Sequence, residues 1–218
     1  MNNSKIFIFY FFILLSCSTK KNETVSKLQP NSIPPILYNE DINIINDFLD
    51  IELKTDRYEA YKNIEIILIK EAGNGIESLF VYDYAYKDWH SHGNNATIAD
   101  NDRLGWILDS LQIKDLKRIY NDKQDIEWRS SDIKNYKVTV MKNETLREII
   151  KSGNNFILPE KLILYISKPL IIDNNNALIS FSISNSRYGN VINRYTVLMK
   201  AKNKKWVIGP KYWDGRID

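Results

Sequence analysis

KLILYISKPLI at 161–171, ALISFSIS at 177–184, VINRYTVLMK at 191–200 and KWVIGPKYW at 205–213 are the stretches whose reading decides the fold. Each is short and rich in β-branched and aromatic residues. Each is bounded by turn formers: Asp173-Asn174-Asn175-Asn176, then the polar segment 185–190, then Lys202-Asn203-Lys204. Runs of this kind at hairpin spacing predict an antiparallel meander. In the second run Ala177, Ile179, Phe181 and Ile183 alternate with Leu178, Ser180, Ser182 and Ser184, which predicts one apolar face and one mostly polar face.

Working outward, 143–152 reads as a helix. Asn143 can cap its start, Leu146, Ile149 and Ile150 recur at helical spacing and are expected to face inward, and Gly153 supplies a left-handed stop. Val138 to Met141 reads as a short strand. Further upstream, Ile42, Ile45, Phe48 and Leu49 follow an acidic first turn and predict a helix over 40–53. The isoleucine-rich run 63–70 predicts a buried strand. After the turn signal Gly73-Asn74-Gly75, the alternating aromatics of 77–87 predict a second strand. Leu104, Ile107, Leu108 and Leu111 predict a helix, and Leu116, Ile119 and Tyr120 a shorter one. The fold class expected is α+β, a few helices packed on a largely antiparallel sheet that ends in the four-strand meander.

Composition narrows the function classes. The chain has 218 residues, 44% hydrophobic and 26% charged, which suits a folded domain and excludes low-complexity and collagen-like classes. One cysteine excludes a disulfide framework or an all-cysteine metal site. A net charge of +3 is too small to point to nucleic acid, so no nucleic-acid partner is expected. Eight glycines, with no phosphate-cradling loop and no Gly-x-Ser-x-Gly elbow, give no expectation of a cofactor or of nucleophilic catalysis.

The N-terminus carries a different signal. A polar start with Lys5 precedes the unbroken apolar run Ile6 to Leu15 and then Leu14-Leu15-Ser16-Cys17. Basic start, apolar run and small residue together describe a secretory signal peptide, and ten residues are too few to span a bilayer as a helix. Leu-Leu-Ser-Cys resembles the lipobox of bacterial lipoproteins. That resemblance implies cleavage after Ser16 and lipidation of Cys17, palmitate being one of the acyl chains. Ser18, where an aspartate would imply inner-membrane retention, resembles the pattern of outer-membrane sorting. The expected organisation is a signal peptide over 1–16, the lipidated cysteine and a Pro-containing flexible tether over 17–38, and a single domain over 39–218.

The mature part also resembles a group of uncharacterised Gram-negative lipoproteins. The residues that carry this are Asp115-Leu116, Gln124 and Trp128, then Ile166-Ser167-Lys168-Pro169, Asn176-Ala177-Leu178-Ile179-Ser180 and Lys204-Lys205-Trp206. The chain departs from that pattern at Asn185 to Gly189, where the group has a glycine-rich hairpin. The resemblance implies no activity.

Two clusters are candidates for chemistry. In DYAYKDWHSH at 83–92, His90 and His92 would share one face of a strand with Asp88, a spacing that suits a divalent metal if carboxylates completed the set. The ordinary reading is a pair of exposed loop histidines, and no metal is expected. Phe80, Tyr82, Tyr84 and Tyr86 would form a ladder on one strand face, with Tyr82, Tyr84 and Tyr86 as ligand-binding candidates. Large aromatics more often fill a core. Lys200, Lys202, Lys204 and Lys205 form a basic hairpin of the solvated kind that discourages edge pairing.

The expected function is that of a membrane-anchored extracytoplasmic lipoprotein with a binding or accessory role. Its expected partners are the membrane, through Cys17, and a protein, peptide or glycan ligand. The rivals are a hydrolase or lyase using carboxylates or His90 and His92, and an immunity or inhibitor-type protein of the periplasm.

Overall fold

The computed structural model describes residues 37–93, 105–121, 126–154, 159–187 and 189–213. The expected signal peptide and the tether up to residue 36 lie outside the described residues. Helix α1 begins at Leu37, within the expected end of that tether.

A seven-stranded mixed sheet organises the rest. Its strands are β1 (Ile66–Ile69), β2 (Val138–Met141), β3 (Leu162–Ile166), β4 (Leu170–Asp173), β5 (Asn176–Asn185), β6 (Val191–Lys202) and β7 (Lys205–Tyr212). The spatial order is β2-β1-β3-β5-β6-β7, with β4 also paired to β5. β1 runs parallel to both β2 and β3, and the remaining pairings are antiparallel. The helices are α1 (Leu37–Glu52), α2 (Gly75–His92), α3 (Ser110–Ile119) and α4 (Asn143–Lys151). The α+β class and the C-terminal strand series are as the sequence predicts.

The expected strand over 161–171 is broken in two. β3 and β4 lie along the same edge of β5, separated by Ser167-Lys168-Pro169. Proline has no N–H to give a ladder. The break is healed locally: the Ser180 N–H donates to the Ser167 hydroxyl at 2.9 Å, and the Lys168 N–H turns away to the Gly73 carbonyl at 2.8 Å. At the other end, Asn203 and Lys204 take positive φ (53° and 64°), the geometry of the two-residue turn that joins β6 to β7.

α1 covers one face. Its Ile44, Ile45, Phe48 and Leu49 are almost wholly buried against Ile66, Leu68, Leu164, Ile179, Phe181 and Val197. Burial of each such side chain is worth roughly 1.5–3 kcal/mol. That exceeds the few tenths of a kcal/mol per residue that separate ordinary helix formers, so packing holds this helix. α2 and α3 cover part of the other face through Leu79, Tyr82, Ala85, Ile113 and Leu116 on Leu170, Leu178 and Leu198. α4 covers the region near β1 through Leu146 on Ile69 and Ile163.

Two expectations are corrected. Residues 77–87 are not a strand but the body of α2, where Asn74 caps the first turn by accepting from the Ile76 N–H. The helix expected around Leu104 to Leu111 starts later. Leu104 itself lies outside the described residues, 105–109 are irregular, and α3 begins at Ser110 behind a capping box of Asp109 and Gln112.

Candidate functional site

Between the part of the sheet under α2 and the part under α4, a strip of sheet carries no helix among the described residues. It forms the floor of a cleft of about 740 Å³, within the size range of small-molecule sites. The floor is set by register. Tyr165 of β3 pairs with Ser182 of β5, which pairs with Arg194 of β6; two residues along, Ser180 pairs with Thr196. These are the even-numbered positions of β5, the mostly polar face expected from the sequence. Leu178, on the same face, is covered by α2, and Ser182 stays open.

The inner end of the floor is a chain of hydroxyls. Ser78 of α2 lies 3.1 Å from the Ser167 hydroxyl and 3.0 Å from that of Ser180, and Ser180 lies 2.7 Å from that of Thr196. Ser78 and Ser167 are fully buried, so this pairing removes the cost of desolvating hydroxyls under the helix. Among the described residues no carboxylate or histidine bonds to these hydroxyls to make one of them a nucleophile.

The wall is the flank of α2: Glu77, Phe80, Val81 and Tyr84. Phe80 and Tyr84 sit four residues apart, hence side by side, and are 52% and 53% exposed, which is far more than aromatics on a packed face. Lys117 of α3 stands 4.7 Å from the Phe80 ring centroid. It and Lys87 both bind Asp83, at 2.5 and 2.8 Å. Burial pushes the Asp83 carboxyl upward, but the two ammonium groups outweigh it and hold the group below the usual carboxylate range.

The Tyr165 hydroxyl donates to Glu77 Oε2 at 2.9 Å, joining floor to wall. Burial, reinforced by the Glu77 charge, pushes the Tyr165 phenol above its ordinary pKa, so it remains a neutral donor at physiological pH. Gly73 makes this contact possible, since a Cβ there would lie 2.2 Å from the Tyr165 hydroxyl oxygen.

The sequence-predicted site residues separate. On a helix, Tyr82, Tyr84 and Tyr86 cannot share a face, because the alternation of a strand does not survive a 100° turn per residue. Tyr82 is fully buried, and its hydroxyl accepts from the Ile107 and Leu108 N–H groups at 3.0 and 3.2 Å. Tyr86 stacks on His90 and meets Trp106 edge-on. Of the three, Tyr84 lines the cleft, joined by Phe80.

His90 and His92 point apart for the same reason. His90 Nδ1 lies 2.8 Å from the Tyr86 carbonyl oxygen, and His92 Nδ1 lies 2.9 Å from Asp88 Oδ1. Among the described residues no group of three metal-ligating side chains converges. Sequence reasoning missed Tyr165, Ser182 and Arg194 as one row. Their strand assignments and alternation were legible, but the pairing register was not.

A second buried polar cluster is closed. Glu52, 2% exposed, accepts from Tyr58 (3.1 Å), Asn193 (2.8 Å) and Lys211 (3.1 Å). Burial raises its pKa, yet the facing phenols and ammonium win and hold it low. It ties α1 to β6 and β7. Cys17 lies outside the described residues, and among those described no helix is long and apolar enough to cross a membrane. No family model, curated protein or solved structure matches this chain.

Proposed function

We propose that this chain is a lipoprotein of a bacterial cell envelope, held at the outer membrane by acyl chains on Cys17, and that its domain takes up a small polar ligand in the cleft beside α2. The lipobox Leu14-Leu15-Ser16-Cys17 supports the anchor. Buried acyl chain is worth roughly 0.8 kcal/mol per CH₂, so two or three chains hold a domain stably at a bilayer. One observation carries the binding role: exposed Phe80 and Tyr84 face a polar floor of Tyr165, Ser182 and Arg194 instead of a core. Apolar wall plus a few placed polar groups is the general composition of ligand sites.

Two experiments test the two halves. Cells fed labelled palmitate should label the wild type and not Cys17→Ser, and the variant should leave the membrane fraction. Label on the variant, or none on the wild type, overturns the anchor. For the cleft, isotope-labelled protein screened against a small-metabolite library should show saturable shifts at Tyr165, Ser182 and Arg194 that Tyr84→Ala weakens. Binders that all shift resonances away from the cleft overturn the binding role.

A further inference from the structure

Resting on the anchor at Cys17, we infer that the outer side of α2 and α3 lies on the bilayer, with Phe80, Tyr84 and Leu111 entering its headgroup boundary. The two helices turn Leu79, Tyr82, Ala85, Ile113 and Leu116 onto the sheet, so their opposite sides look away from it. On those sides stand the half-exposed rings of Phe80 and Tyr84. Beside them is Leu111, at 71% the most exposed large apolar side chain among the described residues. Leu111 shares the outward line of α3 with Lys114, Asp115 and Arg118, three, four and seven residues on, all exposed. Lys117 of α3, 4.7 Å from the Phe80 ring centroid, shows that the two outer sides adjoin.

The chain enters the domain next to this layer. Asp41, in the first turns of α1, lies 3.6 Å from the Lys168 ammonium, and the Lys168 N–H donates to the Gly73 carbonyl just before α2. Tyr120, at the end of α3, faces the same Asp41 charge and donates to the Ile171 carbonyl at 3.2 Å. The start of α1 therefore sits where α2 begins and α3 ends. Cys17 stands 20 residues before Leu37, a stretch that reaches at most about 70 Å. A link of that length holds the domain at the bilayer at an effective concentration of about a millimolar. A surface contact too weak to recruit a free protein is then populated.

Area selects lipid over a protein partner. The three side chains offer on the order of 300 Å², well below the roughly 800 Å² that each member of a stable protein pair buries. A bilayer needs no complementary shape, and aromatic side chains settle at its headgroup level. The contact is apolar and not electrostatic, because the cations nearby are already committed. Lys87 and Lys117 bind Asp83, and Arg118 binds Asp115. The mouth of the cleft borders this surface, since Phe80 and Tyr84 belong to both.

The test uses the lipidated chain in vesicles, with one introduced cysteine carrying an environment-sensitive fluorophore; an acylated Cys17 has no thiol to compete. Labels at Leu111→Cys and Tyr84→Cys should shift to the blue. Lipids brominated near the headgroup should quench them severalfold more than a label at Ile51→Cys, on α1 across the sheet. High salt should leave the quenching unchanged. Phe80→Asp should reduce quenching at Leu111→Cys severalfold while the chain still floats with the vesicles. Equal quenching at all three sites, none at Leu111→Cys and Tyr84→Cys, or its loss in high salt overturns the inference. A blue shift at Leu111→Cys that appears without lipid and grows with protein concentration assigns the face to a second copy and overturns it too. In each of these cases flotation with the vesicles leaves the anchor standing, whereas a chain that does not float removes both readings.

Discussion

Asp41→Asn should make this protein more stable at neutral pH and remove a pH dependence that the wild type carries. Asp41 stands in the first turns of α1, is 2% exposed, and has one carboxylate oxygen 3.6 Å from the Lys168 ammonium. Its other oxygen is buried without a hydrogen-bond partner among the described residues. Burial dominates: it pushes the carboxyl from 3.8 up to about 6, against the pull of Lys168 and with a smaller push from Glu40. The Tyr120 phenol of the segment after α3 faces the same charge.

The sign follows from linkage. The folded state holds this proton more tightly than the unfolded chain, so the stabilising contribution is complete below about pH 3.8. It is lost as pH rises through about 6. The full shift corresponds to about 3 kcal/mol, of which about 2 kcal/mol falls between about pH 4.5 and 7.

The assay is urea unfolding of both proteins across that range, followed by the fluorescence of buried Trp128. The stability of Asp41→Asn relative to wild type should rise by about 2 kcal/mol from about pH 4.5 to 7 and then level off. Groups shared by both proteins, such as Glu52 and Asp83 with their depressed values, cancel in that difference. A difference that is flat with pH, or that grows toward acid, refutes the assignment of an uncompensated buried carboxyl at Asp41.

Three further outcomes are expected. Tyr82→Phe removes the acceptor for the Ile107 and Leu108 N–H groups and should cost about 1–3 kcal/mol; unchanged exchange protection of those two amides would contradict it. Gly209→Ala places a Cβ 2.7 Å from the Leu198 carbonyl oxygen, a backbone atom that cannot swing aside. It should therefore cost about 1–3 kcal/mol in thermal unfolding, and an unchanged melting temperature would show that β6 and β7 separate freely there. Asp109→Ala removes the cap that accepts from the Leu111 and Gln112 N–H groups at 2.9 and 2.8 Å. It should cost about 1 kcal/mol, read as earlier loss of helical circular dichroism, and no loss would mean that packing of Ile113 and Leu116 alone holds α3.

The misreading of 77–87 is instructive. Tyr82 and Tyr86 are drawn inward with Leu79, while Phe80 and Tyr84 stay outside, so apolar residues occupy both sides of α2 and blur the helical period. Alternating aromatics then imitate a strand. Signals for the helix were nevertheless present. Asn74 followed three residues later by Glu77 is an N-terminal signature, and Asp83 with Lys87 and Asp88 with His92 are pairs at i, i+4. The aromatic that broke the pattern, Tyr84 together with Phe80, is the part of the helix that faces the cleft. α1 and α4, by contrast, were readable because their apolar residues lie on one side only.

From the sequence alone come the α+β class, the C-terminal strands and their turns, the helices α1 and α4, and the expectation of an anchor at Cys17. All rest on local periodicity and short motifs, which neighbours along the chain specify without help from the fold. The cleft is a different kind of object. Tyr165, Ser182 and Arg194 are brought side by side by strand register, and Phe80 and Tyr84 stand over them because α2 packs on Leu178 and Leu198 and leaves Ser182 open. Register and helix placement are settled by which apolar surfaces can be buried together across the whole chain, so only the tertiary structure decides where this cleft lies and which side chains line it.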